Sequence, residues 1–530
     1  MMENSSRWAK ILAYIVLGAS FVAMLGISYR YRSILLMPEI TSDEFLFIRT
    51  IFKLSNSVAT ANWVEVFNYT WFNYGFGYFA AVLLTTLPGM LCDQWTWIVM
   101  VPRLWSIVPM IIALGAIFST FSIWRRPWAG LAAVIGILSM PYMWQVGTWF
   151  HPDSLMMAWI TGVIWAFARD DGRLGSYFWA GVGLFGCAIG TKFQAVLLAP
   201  LVVMYWGSYR VAPLKMELVK CLKEGIGILG MVAGIFWIWN PYIVHPMGFK
   251  AFKRLLEINT EAGSALVPYV DRLQMGAVIP YGWPVVVGLV FGGTVVGGIV
   301  SLINWKDPRS RLVGIVATAV ILNTGYLVLF VNKGWAHYYL VPIVFAWIAV
   351  ADVTARLRKG LAMPVLASLF CWNAVYATSV LRTEFYRRDA ILAADRDRLV
   401  RNQVTEILKS RLRPGDRIVA TQLAIVDFQV IGVSYLDVNA DMKSIRRRAL
   451  VRDAHDDYFK SRGFSIIPEF TPYRWIVVSK RTPYFLPAMA RPGEAAFFTD
   501  GRRLIDEMGA GKWGYEGVYD SPDLLILRQK

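Results

Sequence analysis

The sequence predicts a polytopic α-helical membrane protein of about eleven transmembrane helices, followed by a soluble C-terminal α/β domain. Three observations predict it. Of the 530 residues 56% are hydrophobic and only 17% charged, and the mean hydropathy is +0.47, outside the range of soluble domains. Apolar runs recur through the first 380 residues. About half of the 53 Lys/Arg and 36 Asp/Glu lie beyond them. Residues 1–381 therefore read as the membrane domain and 382–530 as a separate soluble one.

A hydrocarbon core about 30 Å thick needs roughly 17 to 25 apolar helical residues. In chain order the runs that answer this are Ile11–Tyr29, Leu104–Trp124, Ala129–Gly147, Ser154–Ala168, Leu174–Gly190 and Phe193–Trp206, then Ile226–Trp239, Trp283–Trp305, Leu312–Val331, Tyr338–Val350 and Leu361–Val380. The first follows a short polar start and lacks a small-residue cleavage pattern, as an uncleaved signal anchor does.

Loop charge orients these runs. With Arg7 and Lys10 in the cytoplasm, the even-numbered connections fall at Arg125-Arg126, Arg169–Arg173, Arg210–Lys223, Lys306–Arg311 and Arg356–Lys359, and all carry basic residues. Most odd-numbered connections are poorer in them, which is the positive-inside pattern. The same clustering accounts for a formal charge of +17 without nucleic acid. The stretch Phe76–Met100 must not cross singly, because one extra span would invert every later loop. Pro88, Gly89 and Asp93 interrupt it, so it reads as an interfacial or re-entrant helix within a long first external loop, residues 30–103. Parity then puts the C-terminal domain outside.

In that domain RLRPGDRIVATQ, PYRWIVVSKR and YEGVYDSPDLLILRQ have the β-branched and aromatic centres of strands. Helical stretches at Asp395–Lys409 and Gly501–Met508 alternate with them. Cys92, Cys187, Cys221 and Cys371 are scattered, with no CxxC pair and no disulfide framework. No internal repeat is evident, which sets the chain apart from many transporters.

The ionisable residues hardest to explain as topology signals collect at the external helix ends. They are Asp43-Glu44 in PEITSDEF, Arg103 at the return to the second span, His151-Pro152-Asp153, Lys192, and Lys333 with His337. Charges at a membrane boundary are costly unless paired or solvated, so a one-sided set of acids and bases points to a site. Asp43 and Glu44 suit a base that takes a proton from a hydroxyl. They equally suit a capping box with Thr41, and the two roles are compatible. Pro152 and Asp153 suit a helix start, where a carboxylate meets the positive end of the dipole. Lys192, Lys333, His337 and Arg103 suit an anion, although snorkelling and aromatic belts explain part of the pattern.

In this order and sidedness, the SDE segment, the HPD segment, GTKFQAVLLAPL and KGWAHYYLVP resemble the GT-C superfamily of membrane glycosyltransferases. That superfamily includes protein O-mannosyltransferases and lipid A aminoarabinose transferases. The resemblance covers roughly residues 1–380. It implies an enzyme that takes a sugar from a polyprenyl- or dolichyl-phosphate donor and transfers it, with inversion, to a glycan, lipid or protein acceptor at the external face. On that pattern Asp43 matches the first-loop acid, with Glu44 beside it, and Asp153 with His151 orients the acceptor or supports the base. Lys192, Lys333, His337 and Arg103 would contact the donor phosphate. No cofactor is required by the pattern; a divalent cation on Asp43, Glu44, His151 and Asp153 is compatible with it. NYTWFNYGFGYF stands where the family carries a proline-rich segment, which leaves the sugar open.

Two other classes compete. A transporter or flippase for a lipid-linked or small anionic solute would hold its charges near mid-membrane, whereas these gather at one face. A non-catalytic scaffold would leave Asp43 and Asp153 as helix caps. The enzyme reading expects Asp43, Asp153 and Lys333 to line one external cavity. The absence of an endoplasmic-reticulum retention signal at Arg528-Gln529-Lys530 favours a bacterial inner membrane.

Overall fold

The computed structural model describes, single positions aside, residues 2–33, 44–67, 74–210, 218–244, 249–253, 284–330 and 336–357, together with scattered stretches of 367–530. The expected span Leu361–Val380 lies largely outside the described residues.

The chain opens with α1 (Met2–Arg30) and crosses the first loop through α2 (Glu44–Ala59), α3 (Trp63–Phe67) and α4 (Phe76–Leu91). It continues through α5 (Trp95–Ile123), α6 (Pro127–Leu138), α7 (Pro141–Thr148), α8 (Asp153–Asp170) and α9 (Ser176–Thr191). A 3₁₀ turn, Phe193–Leu198, leads to α10 (Ala199–Arg210), and α11 (Leu218–Trp239), α12 (Pro284–Ile303) and α13 (Pro308–Phe330) follow. A second 3₁₀ turn, Ala336–Tyr339, starts α14 (Leu340–Thr354). Among the described residues four helices are long and apolar enough to cross a membrane, and a fifth results if α6 and α7 count as one broken span.

Three departures from the sequence reading have physical causes. The run Ala129–Gly147 is not one helix, because α6 and α7 meet at 75°. Pro141 lacks the N–H that would continue the ladder and pushes Met140 to an extended conformation, φ −83° and ψ 123°. The stretch Phe76–Met100 does not run as one helix, but its break comes at Cys92–Gln94. Pro88 and Gly89 remain inside α4. The helix expected to begin at Leu104 begins at Trp95 and carries Arg103 inside it, because a buried partner, described below, cancels that charge.

The bundle core packs the interior faces of α1, α5–α10, α13 and α14 into one buried cluster. Trp347 of α14 is fully buried and lies against Gly136 of α6, where a Cβ would come within 2.5 Å of its ring. Only a residue without a side chain admits the indole there. At the far end of α8, Asp170 accepts the N–H groups of Leu174 and Gly175, both at 2.8 Å, and the Tyr205 hydroxyl at 3.0 Å. That carboxylate holds a tight turn in which Asp171, Gly172 and Leu174 all have positive φ.

Beyond α15 (Arg396–Lys409), five strands form one mixed sheet: β1 (Arg417–Ala420), β2 (Tyr435–Asp437), β3 (Trp475–Ser479), β4 (Tyr515–Asp520) and β5 (Leu524–Gln529). The order is β2-β1-β3-β5-β4. β1 is parallel to β2 and β3, while β5 is antiparallel to β3 and β4. All five residues of β3 are buried. Val404 and Leu408 of α15 share a buried cluster with Ile418, Trp475 and Ile526, and that cluster continues into Phe47 and Ile51 of α2. The short β2 has no sequence signal of its own.

At the start of α13, Asp307 accepts the Ser310 N–H at 3.1 Å and its hydroxyl at 2.7 Å, as a helix cap does. Burial works against ionisation of this carboxyl, but the Ser310 hydrogen bonds and the Arg309 charge outweigh it and hold it below its ordinary value of 3.8. Its contribution is therefore present above that value and lost as pH falls through the depressed one. Asp307→Ala is expected to lower stability by about 1 kcal/mol at neutral pH. The difference from wild type should shrink as the detergent-solubilised protein is acidified, and a difference that does not change with pH would contradict the cap.

Candidate functional site

The site is built where α8 starts. Pro152 takes helical angles as the cap of α8, and Asp153 lies in the first turn without making a capping hydrogen bond. Its carboxylate meets Lys192 instead, with Nζ 2.5 Å from Oδ1, and both side chains are buried. Two charges removed from water need this kind of pairing. His151, also fully buried, accepts the Asp153 N–H on Nδ1 at 3.2 Å. Asp153 Oδ2 lies 3.3 Å from the same nitrogen and has no hydrogen-bond partner.

Lys192 is placed by backbone. It ends α9 in an extended conformation and bridges Tyr74, while the Gly75 N–H donates to the Thr191 carbonyl at 2.9 Å. A Cβ on Gly75 would stand 2.0 Å from the Gly190 oxygen, so this approach requires glycine. Asn240 ties the two segments, donating to the Gly190 carbonyl and accepting the Phe76 N–H, both at 3.3 Å. The rings of Tyr74 and Tyr338 lie 5.5 and 5.2 Å from the ammonium, within the range of a cation–π contact.

Behind this cluster α5 acts as a brace. Arg103 is fully buried and donates from Nε and Nη2 to both oxygens of Glu44 at 2.7 and 2.9 Å. Its Nη1 donates to the carbonyls of Ser28 and Tyr31 at 3.1 and 2.9 Å. Glu44 also accepts the Phe150 N–H at 3.0 Å. One turn along α5, Ser106 accepts the His151 N–H at 2.9 Å and donates to the His151 carbonyl at 3.1 Å. One helix thus fixes both the start of α2 and the HPD segment. Trp149 stacks on His151 at 5.6 Å, and Phe47 of α2 meets its edge at 5.2 Å.

Residues 388–389 reach the same end of the bundle. Arg388 donates to the Thr148 hydroxyl at 3.2 Å, and Asp389 accepts from Arg30 at 3.0 Å and from the Tyr31 hydroxyl at 2.8 Å. Burial, reinforced by the Asp389 charge, pushes the Tyr31 phenol up to about 12.

Of the residues singled out in the sequence, His151, Asp153 and Lys192 come together, and Glu44 joins them through Phe150. Arg103 differs from its expected place: it lies within a helix and not at a loop end, committed to Glu44 and two carbonyls. Glu44 is correspondingly a buried ion-pair partner. His337 lies in the 3₁₀ turn beside Tyr338, whose ring faces Lys192. Asp43 and Lys333 lie outside the described residues, as does the cavity expected from them. Among the described residues no three His, Cys, Asp or Glu side chains converge as metal ligands. Sequence reasoning missed Tyr74, Tyr338 and Ser106; the first two stand in the aromatic segments NYTWFNYGFGYF and KGWAHYYLVP.

No family model and no curated protein matches the chain. Solved structures do. ArnT from Cupriavidus metallidurans, bound to undecaprenyl phosphate, superposes with a TM-score of 0.56 over 97% of each chain at 12% identity. Its apo state gives 0.56 over 98% of each at 13% identity. A more distant likeness, TM-score 0.43, is to the oligosaccharyltransferase AglB from Archaeoglobus fulgidus, in complex with an inhibitory peptide and a dolichol-phosphate, over 90% of this chain and 72% of that one at 11% identity. The chain thus shares the fold of ArnT, a lipid A aminoarabinose transferase of the kind the sequence resemblance pointed to.

Removing either partner of the Glu44–Arg103 pair leaves a buried charge. Glu44→Ala or Arg103→Ala is expected to cost about 3 to 5 kcal/mol, and the double apolar replacement Glu44→Leu with Arg103→Met less than either. Thermal unfolding in detergent measures this, and single variants as stable as wild type would refute the brace.

Proposed function

We propose that this chain is a membrane glycosyltransferase that moves a sugar from a polyprenyl-phosphate donor to an acceptor hydroxyl at the outer membrane face. The observation that carries the reading is the His151–Asp153–Lys192 cluster, held against the first-loop helix at one end of a GT-C-type bundle. ArnT, which shares this fold along its whole length, has been captured with undecaprenyl phosphate. Eleven spans, an outward-facing C-terminal domain and a bacterial inner membrane complete the proposal.

In this reaction the acceptor oxygen attacks the anomeric carbon while the bond from that carbon to the phosphate oxygen breaks. The electron pair stays on the polyprenyl phosphate, and inversion follows from attack opposite the leaving group. The hydroxyl proton goes to Asp43. That residue directly precedes Glu44, which is anchored to Phe150 next to His151, and consecutive Cα atoms are about 3.8 Å apart. Asp153 and His151 orient the acceptor. Lys192, with Lys333 and His337 from the KGWAHYYLVP segment, meets the negative charge that grows on the phosphate. Lys192 is already held beside an anion and can exchange Asp153 for phosphate without being desolvated anew. Arg103 supports the site by fixing Glu44.

Purified protein supplied with polyprenyl-phosphate sugars tests this. Asp43→Asn is expected to lower turnover by about 10²- to 10⁴-fold, the usual worth of a general base, with thermal stability retained. Lys192→Gln should lower kcat while Asp153 remains in place. An Asp43→Asn enzyme as fast as wild type would remove Asp43 from the chemistry.

A further inference from the structure

A polar cavity of about 380 Å³ opens at the other end of α8 from the candidate site. Asp153 and Asp170 are the first and last residues of that helix, so the two sites stand about 26 Å apart along its axis. Arg125, Arg169, Arg173 and Arg309 line this cavity against two carboxylates, Asp171 and Asp307. These arginines come from three basic connections that are far apart in sequence.

The arginines are not used up by the fold. Arg125, Arg169 and Arg173 are exposed, and none has a carboxylate partner among the described residues. Arg309 lies 3.7 Å from Asp307 and 3.6 Å from Asp352, yet its buried Nε makes no hydrogen bond. Nor does the second layer neutralise them. Asp352 is fully buried and shared by three guanidiniums, with Arg126 at 3.3 Å and Arg356 at 2.6 Å besides Arg309. Arg311 is held apart, over the Tyr209 ring at 4.3 Å and on the Trp305 carbonyl at 3.0 Å.

Rigid surroundings hold the charges in place. Arg125 is itself left-handed, at φ 58°, Arg173 lies between the left-handed Gly172 and Leu174, and Asp170 fixes the second of these turns from inside. Planar guanidiniums converging on one hollow suit the oxygens of a phosphate group, which they bind through paired hydrogen bonds. We infer that this cavity is a binding site for a phosphate-bearing anion, separate from the glycosyl-transfer site and independent of that proposal. The phosphate comes either from an acidic lipid headgroup of the adjacent leaflet or from solution, and the chemistry of recognition is the same.

The test uses the full chain purified in detergent and compares wild type with Arg125→Gln/Arg173→Gln. Binding of phosphatidylglycerol relative to phosphatidylethanolamine is measured by native mass spectrometry, and binding of inorganic phosphate by calorimetry. The pair Arg7→Gln/Lys10→Gln, exposed on α1, serves as a control of equal charge. The double variant should bind weaker by on the order of tenfold or more in at least one arm, as expected for lost charged hydrogen bonds, while the control matches wild type. A loss confined to phosphatidylglycerol identifies the headgroup, and a loss in the phosphate arm identifies a soluble anion. Equal binding by wild type and variant in both arms, or an equal loss in the control, would overturn the inference. Should the double variant fail to fold, Arg169→Gln alone carries the same comparison.

Discussion

A lysine ammonium inside a helical bundle persists only beside an anion, and the Lys192–Asp153 contact is where the architecture around the site meets that constraint. Each partner is delivered by a different device. Asp153 arrives on the first turn of α8, where the helix dipole already favours a carboxylate. Lys192 arrives at the end of α9, where helix gives way to extended backbone paired with the first loop. Gly75 and Asn240 make that pairing close enough to set the Tyr74 ring against the ammonium, and Tyr338 flanks it from the turn before α14.

The brace behind the contact uses the same physics. Arg103 and Ser106 lie one turn apart on α5, so one rigid element sets both the first-loop helix and the HPD segment. This geometry relates the site to the proposed reaction. A phosphate leaving group needs cations arranged before the bond breaks, and a hydroxyl nucleophile needs a nearby base. Charge held ready by buried braces answers the first need without reorganisation during the reaction.

Much of this was legible in the residues, and what was not has specific causes. Asp153 and the Arg169–Arg173 connection lie at opposite ends of α8, as their assignment to different connections requires. His151, Asp153 and Lys192 stood out because charge at a helix end is costly. Arg103 misled for the same reason, since a lone arginine in an apolar run reads as a boundary until its distant partner Glu44 is known. The kink at Pro141 was written in the proline, but hydropathy averages over it. Tyr74 and Tyr338 were hidden among many interfacial aromatics, because their role comes from long-range pairing and not from local pattern.

The most direct test of the account is to incubate the wild-type protein with polyprenyl-phosphate sugars and acceptor hydroxyls, following both release of polyprenyl phosphate and the anomeric configuration of the product. The account predicts that polyprenyl phosphate appears in step with a glycosylated acceptor whose anomeric centre is inverted. Donors that bind but stay intact with every acceptor, or that cross the membrane unchanged, would contradict it.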